Sequence, residues 1–146
     1  MNIRHATADD PDVLAILAHL AGQLGYPSSL EQVLQRLTSI CSRRDHAVLV
    51  AEDDDNIVGW VHVFGAERLE SEPCAEIGGL VIDESQRGRG WGTALLEAAE
   101  NWAAAQDYPT VRIRSNIIRQ QAHQFYEKRG YRCAKQQAVF TKPILK

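Results

Sequence analysis

The sequence has few of the features that mark secreted, metal-binding or membrane-spanning proteins. It contains three cysteines, an odd number with no Cys-x-x-Cys pair. Neither a disulfide framework nor a zinc knuckle is therefore predicted. Its apolar runs are too short to cross a bilayer, and its first residues lack the cationic start and apolar block of a secretion signal. We therefore expect a protein of the reducing cytoplasm.

The sequence also lacks an excess of positive charge. Its net charge of −3 at pH 7 gives no electrostatic reason to expect nucleic acid or a membrane as a partner. The histidines show neither His-Glu-x-x-His nor His-x-x-Glu-His spacing, so no metal site is predicted. With 146 residues, 45% of them apolar and 24% charged, the chain is expected to form one globular domain over residues 1–146.

The apolar periodicity predicts alternating helices and strands. Helices are expected at 11–24, from about 28 or 29 to 41, from the end of the 86–93 loop to about 106, and at 120–129. Strands are expected at 3–6, 47–51, 57–64, 76–82 and 111–114. Residues 65–73 are expected to form an acidic loop, and 131–141 a final pair of short strands or one bent strand. Thr7 or Asp9 is expected to cap the first helix. This order predicts an α+β, or mixed α/β, domain.

The most informative segment runs from Gln86 to Thr93, between a predicted strand and a predicted helix. This arrangement presents free backbone N–H groups and the positive end of the helix dipole to a phosphate. The three glycines permit positive φ and close approach of a ligand, and the two arginines add charged donors. These residues are Arg87, Gly88, Arg89, Gly90 and Gly92. We therefore predict a ligand that carries a pyrophosphate, and an enzyme rather than a scaffold.

Two common phosphate loops do not match this segment. A P-loop ends in Gly-Lys-Ser/Thr, and this loop contains no lysine. The dinucleotide motif Gly-x-Gly-x-x-Gly opens a βαβ unit, whereas these glycines are spaced Gly-x-Gly-x-Gly and lie past the midpoint of the chain. Nucleotide hydrolysis and dinucleotide binding are therefore poorly supported.

The remaining pattern, Arg87-x-x-Gly90-x-Gly92, resembles the acyl-coenzyme A motif of the GNAT superfamily of N-acetyltransferases. A second block, from Arg114 to Tyr131, is similar to the later motif of that family, which contains Asn, Ala and Phe-Tyr followed by Gly-Tyr. The two motifs stand in the family's order and cover about half of the chain. The resemblance implies a GNAT-like fold, with a mainly antiparallel central sheet of six to seven strands flanked by about four helices.

The resemblance also implies acetyl-coenzyme A as co-substrate. Residues Leu80, Val81 and Ile82 would contact the pantetheine arm, and Asn116 would add a side-chain contact. The pyrophosphate would be bound by Arg87, Gly88, Arg89, Gly90, Trp91, Gly92 and Thr93. Trp91 replaces the small aliphatic residue usual in the family. Its ring could pack on the cofactor or on the domain, and the sequence does not decide between the two.

Glu76 is the candidate general base. The amine must lose a proton before it attacks the thioester, and Glu76 matches the strand glutamate that some family members use, either directly or through a water. Other members place an acid at the position that glycine occupies in this sequence, Gly79. The structural alternative is a strand-end carboxylate paired with Arg112 or Arg114.

Tyr126 is the candidate general acid for the leaving thiol, because it matches the tyrosine of the second motif. The alternative is that it packs in an apolar stripe with Phe125. His62 and His123 are read as structural residues, and no role is assigned to either.

The resemblance therefore implies transfer of an acetyl group to a primary amine, with a small molecule favoured as the acceptor. A protein lysine or N-terminal acetyltransferase and a non-catalytic acyl-coenzyme A sensor module are the alternatives. The run from Ser115 to Phe125 also weakly resembles aminoalkylphosphonate N-acetyltransferases. Small members of the family often pair as dimers, so the resemblance also makes a homodimer a candidate assembly.

Overall fold

The structure is a computed structural model that describes residues 2–115 and 119–145. The chain divides into two compact units, 1–114 and 115–146, which are described separately. The first unit contains β1 (Asn2–His5), α1 (Pro11–Leu24), α2 (Leu30–Cys41), β2 (His46–Asp53), β3 (Asn56–Arg68), β4 (Ser71–Ile82), a 3₁₀ turn (Glu84–Gln86), α3 (Trp91–Ala105) and β5 (Val111–Ile113). The second unit contains α4 (Gln120–Glu127).

The five described strands form one sheet in the order β1-β2-β3-β4-β5. All neighbouring strands are antiparallel except β4 and β5, which are parallel. The predicted α+β class with a mainly antiparallel sheet is confirmed, but the predicted number of six to seven strands is wrong for the described residues. Residues 131–145 form no strand and, apart from Tyr131, are exposed. This segment therefore lacks the half-buried face that stabilises a strand.

The two faces of the sheet are covered by different helices. Helices α1 and α2 pack on one face, around a buried cluster that includes Val13, Leu17, Leu37 and Val50. Helix α3 packs against β3 and β4 on the other face, where it buries Leu95, Leu96 and Ala99. Each fully buried aliphatic side chain contributes about 1.5–3 kcal/mol, so this two-sided core holds β4 in place.

The caps of α1 and α2 follow ordinary helix chemistry. The Asp10 side chain accepts hydrogen bonds from the backbone N–H groups of Asp12 and Val13. The prediction of Thr7 or Asp9 as the cap is therefore wrong, because the helix begins at proline and its cap is the residue immediately before it. Helix α2 has Ser29 as its cap, with a complete capping box. It therefore begins where it was expected, next to Ser28 and Ser29.

Residues 65–73 continue two strands, so the predicted acidic loop is also wrong. Strand β3 extends to Arg68 and β4 begins at Ser71, with Gly65 opposite Ala75. Only Leu69 and Glu70 lie between the strands. Ladder hydrogen bonds hold the extension together although its side chains are mostly exposed, which is why hydrophobic periodicity does not reveal it.

Candidate active site

The loop before α3 has the backbone geometry of an anion site. Gly88 and Gly90 have φ of +79° and +87°, in the left-handed region that glycine tolerates best. Gly90 is the N-cap of α3, and no described side chain caps this helix or places an acid in its first turn. A Cβ built on either glycine would meet no described atom within 4 Å. The side-chain positions of both glycines therefore face open space.

Helix α1 anchors the turn that leads into this loop. The Gln23 side chain donates to the Asp83 carboxylate at 3.4 Å and accepts from the Glu84 backbone N–H at 3.1 Å. Asp83 also accepts from the backbone N–H of Ser85. The hydrogen bond from Ser85 is the main cause that lowers the pKa of Asp83, and Gln23 adds to it. The turn is thus tied to both the sheet and α1.

Trp91, the first residue of α3, packs within the domain. Its side chain is only 4% exposed, so of the two alternatives left by the sequence, packing on the domain is the one observed. Burial of a large aromatic ring at the start of α3 fixes the helix N-terminus against the core. The N–H groups beside the glycines are therefore presented by a rigid element.

Strands β4 and β5 separate beside this loop. They pair only from Ala75 to Ile77 on β4. Beyond that point β4 pairs with β3 on one edge, with Leu80 opposite Val61, and no described strand pairs with its other edge. Leu80, Val81 and Ile82 lie on this open stretch. An open strand edge can bind an extended ligand as an added strand.

Glu76 lies on β4 among three arginines, and its side chain is 12% exposed. Arg114 Nε donates to Oε1 at 3.3 Å. Arg112 and Arg68 approach the same oxygen at 3.9 and 3.8 Å. The sequence alternative named Arg112 and Arg114 as partners, and both contact the carboxylate. Arg68 was missed, because residues 65–73 were expected to form a loop.

This arrangement leaves one carboxylate oxygen of Glu76 available. The nearest approach of each arginine is to Oε1, and no described residue donates a hydrogen bond to Oε2. The guanidinium groups interact favourably with the ionised carboxylate and fix its orientation. Among the described residues, the arginines therefore hold the carboxylate through Oε1 and leave Oε2 without a hydrogen-bond donor.

Tyr126 lies on α4 in the second unit and is half-buried. Burial raises the pKa of its phenol above the ordinary value. Its ring contacts those of Phe125 and Tyr131 edge-on, with centroids 5.5 and 6.2 Å apart. The phenol therefore keeps its proton near pH 7, as a general acid requires. Asn116 lies outside the described residues.

A pair of histidines beside Glu76 was missed by sequence reasoning. His46 Nδ1 lies 3.0 Å from His62 Nε2, and Phe64 stacks on His46 with centroids 5.1 Å apart. Strand register places His46 opposite Phe64 and Phe64 opposite Glu76. The short turn between the predicted strands at 47–51 and 57–64 could have indicated this pairing, because it fixes the hairpin register.

The described residues give no sign of a metal or membrane site. They contain no group of three or more histidine, cysteine or acidic side chains arranged to hold a metal ion. None of the helices in the described ranges has the length and apolar character needed to cross a bilayer.

Comparison with known proteins identifies the family. The family model for the acetyltransferase (GNAT) family matches residues 14–131. An uncharacterized N-acetyltransferase of Methanocaldococcus jannaschii is 30% identical over 136 residues, which cover 90% of this chain and 78% of the relative.

Solved structures share the fold at lower identity. A transcriptional regulator from Bacillus halodurans superposes with a TM-score of 0.83 and 21% identity. The match covers 97% of this chain and 99% of the regulator. An aminoglycoside 6'-N-acetyltransferase from Acinetobacter haemolyticus has a TM-score of 0.83 and 21% identity, covering 99% of both chains. Together with the family match and the curated relative, these findings show that the chain belongs to the GNAT family of acetyltransferases.

Proposed function

We propose that this protein transfers the acetyl group of acetyl-coenzyme A to the primary amine of a small molecule. The observation that carries the proposal is the open glycine loop at the start of α3, placed directly after the unpaired edge of β4. A diphosphate fits the first feature and an extended pantetheine arm fits the second.

The residues that would bind the co-substrate follow from these two features. Leu80, Val81 and Ile82 line the pantetheine arm, and a backbone N–H near Leu80 polarises the thioester carbonyl. The segment from Arg87 to Thr93 binds the pyrophosphate, with Trp91 acting through packing because it is buried. The family resemblance would add a side-chain contact from Asn116, which lies outside the described residues. When bound, the thioester supplies an activated acetyl group.

Glu76 would act as the general base, directly or through a water. Its carboxylate would take a proton from the acceptor amine at Oε2, while the arginines hold Oε1. Tyr126 would donate a proton to the leaving thiolate, since burial keeps its phenol protonated. General acid and base groups of this kind contribute about 10²–10⁴-fold each.

A small cationic acceptor is favoured over a protein. Glu67, Glu70 and Glu72 lie at the end of the β3–β4 hairpin and favour a cation. An enzyme with the same fold is described as an aminoglycoside 6'-N-acetyltransferase, which supports a small-molecule amine as the class of acceptor.

The test is a thiol-release assay with acetyl-coenzyme A and a panel of amines. The panel holds polyamines, aminoglycosides, amino sugars, aminoalkylphosphonates, lysine peptides and peptides with free N-termini. We expect release with at least one small-molecule amine. Release with peptides alone would favour a protein acetyltransferase, and binding of acetyl-coenzyme A without release on any amine would favour a sensor module.

A further inference from the structure

Three polar side chains form a chain from the surface to the space above Gly78. Asp45 is 54% exposed, and its Oδ1 lies 4.0 Å from His46 Nε2. His46 Nδ1 lies 3.0 Å from His62 Nε2. The other ring nitrogen, His62 Nδ1, lies 2.9 Å from the point where a Cβ on Gly78 would be. The chain thus ends in the space left by the missing side chain of Gly78.

That space lies on the same face of the sheet as Glu76. Gly78 is exposed and lies two residues beyond Glu76 on β4, at a register shift opposite His62. Phe64 Cε1 lies 3.2 Å from the same Cβ point, and Phe64 pairs with Glu76 across the two strands. Gly78 and Glu76 therefore face the same side of the sheet. An acceptor nitrogen or a water above Gly78 would contact His62 and would lie on the face of the sheet that carries Glu76.

Acetylation of an ammonium group releases a proton that must reach solvent. Two protons leave the nitrogen when it becomes an amide, and one of them ends on the thiol of free coenzyme A. The second is left over in every turnover. Because Glu76 takes a proton but is mostly buried, it needs a route by which that proton leaves.

We propose that His62 and His46 relay this proton from the active site to solvent, an inference that rests on the proposed acetyltransferase function. His62 accepts the proton at Nδ1. His62 then gives the proton on its Nε2 to His46 Nδ1. His46 in turn gives the proton on its Nε2 to Asp45 or to water. After the products leave, His62 Nδ1–H loses its proton to water and His46 Nε2 gains one, with the intervening proton shifting back. Atoms and charge therefore balance over the cycle.

The electrostatics of the pair fit a relay. Burial, with the neighbouring His46 adding to it, lowers the pKa of His62 to about 4. The ring is thus neutral near pH 7 and has a lone pair to offer. His46 on β2 is the titratable group that acts on His62. Asp45, just before β2, lies next to His46, and Glu76 lies farther along β4. A weakly basic ring passes a proton on more readily than it stores one.

The first test compares wild type with His62→Gln and His46→Gln, which keep polar side chains but cannot relay. We expect the kcat for an ammonium acceptor near pH 7 to fall by about 10- to 100-fold, with unchanged calorimetric affinity for acetyl-coenzyme A. The loss shrinks as the pH rises above the pKa of the acceptor, because the amine then arrives neutral. Exogenous imidazole restores the rate of His62→Gly. The control, His5→Gln, changes an exposed histidine outside the relay and leaves the rate unchanged.

A second readout does not depend on turnover. Long-range ¹H–¹⁵N NMR should find His62 protonated at Nε2 and unprotonated at Nδ1, and the opposite tautomer would overturn the relay. The relay would also be overturned if the wild type is active, His62→Gln loses the same fraction of kcat at every pH, and imidazole does not restore the rate of His62→Gly. Absence of thiol release by wild type on any amine would instead refute the proposed function.

Discussion

At the scale of single residues, the sequence singled out Glu76 as a candidate base but did not predict all of the side chains around it. Arg112 and Arg114 were predictable because they alternate along a short strand next to β4. Arg68 and the histidine pair were not predicted, since both depend on the register of the β2–β3 and β3–β4 hairpins. A one-residue change in register would move these side chains to the opposite face.

Replacement of Glu76 by glutamine tests its role as a base. The amide keeps the shape of the side chain but removes both the charge and the ability to accept a proton. We expect kcat to fall by about 10²-fold or more, while calorimetric affinity for acetyl-coenzyme A stays unchanged. The matched control is Glu31→Gln on α2, an exposed carboxylate outside the arginine cluster and outside the hairpin tip. If Glu76→Gln keeps the wild-type kcat, Glu76 is not the general base.

Replacement of Tyr126 by phenylalanine separates catalysis from packing. The ring stays on α4, but the phenolic proton is lost. We expect kcat to fall much more than acetyl-coenzyme A affinity. Because burial raises the phenol pKa, the wild-type rate should hold through neutral pH and decline only above the ordinary tyrosine range. Equal losses in rate and affinity would assign Tyr126 to packing, and exposed Tyr26→Phe serves as the control.

At the scale of elements, hydrophobic periodicity predicted the helices and strands that bury a face. The long helix after the loop and the strand that contains Glu76 were both located correctly. The two segments that were wrong, 65–73 and 131–141, are mostly exposed. In the first, backbone hydrogen bonds extend the hairpin without an apolar pattern. In the second, apolar residues such as Val139 and Phe140 are present in the sequence but are not buried.

The glycine loop can be tested with a pair of matched substitutions. Gly90 and Gly25 both have left-handed φ and open space around the Cβ position, so valine costs about 1–2 kcal/mol of strain at either site. Only Gly90→Val also places a side chain at the proposed pyrophosphate site. We expect Gly90→Val to lower calorimetric acetyl-coenzyme A affinity by at least about tenfold, and Gly25→Val to leave it unchanged. Equal affinities would refute the loop as the binding site.

At the scale of the whole molecule, His62 links protonation to stability. Its pKa is lowered to about 4 in the folded chain, from an ordinary value of 6.5. The unfolded chain therefore binds more protons in this range, and the free energy of unfolding falls as the pH drops from 6.5 toward 4.

Urea unfolding at pH 7 and pH 5 measures this linkage. We expect wild type to lose about 1–2 kcal/mol of unfolding free energy between the two conditions. His62→Gln should lose much less, because glutamine does not titrate. An equal loss in both proteins would show that other groups cause the pH dependence.

The whole molecule also sets the limit of sequence reasoning about function. The loop and the helices and strands that bury a face could be predicted from glycine chemistry and apolar periodicity, and the family from the resemblance of two motifs to those of known acetyltransferases. The acceptor could not, because its site depends on hairpin register and on charges that meet only in the fold, such as those around Glu76.

The most direct measurement of the central claim is a ¹⁵N NMR titration of the protein with acetyl-coenzyme A. Saturable shifts are predicted for the backbone amides of Gly88, Gly90 and Gly92 and for those on the open edge of β4, and the glycine shifts should be lost in Gly90→Val. Saturable binding that leaves the amides from Arg87 to Thr93 unchanged would contradict the account.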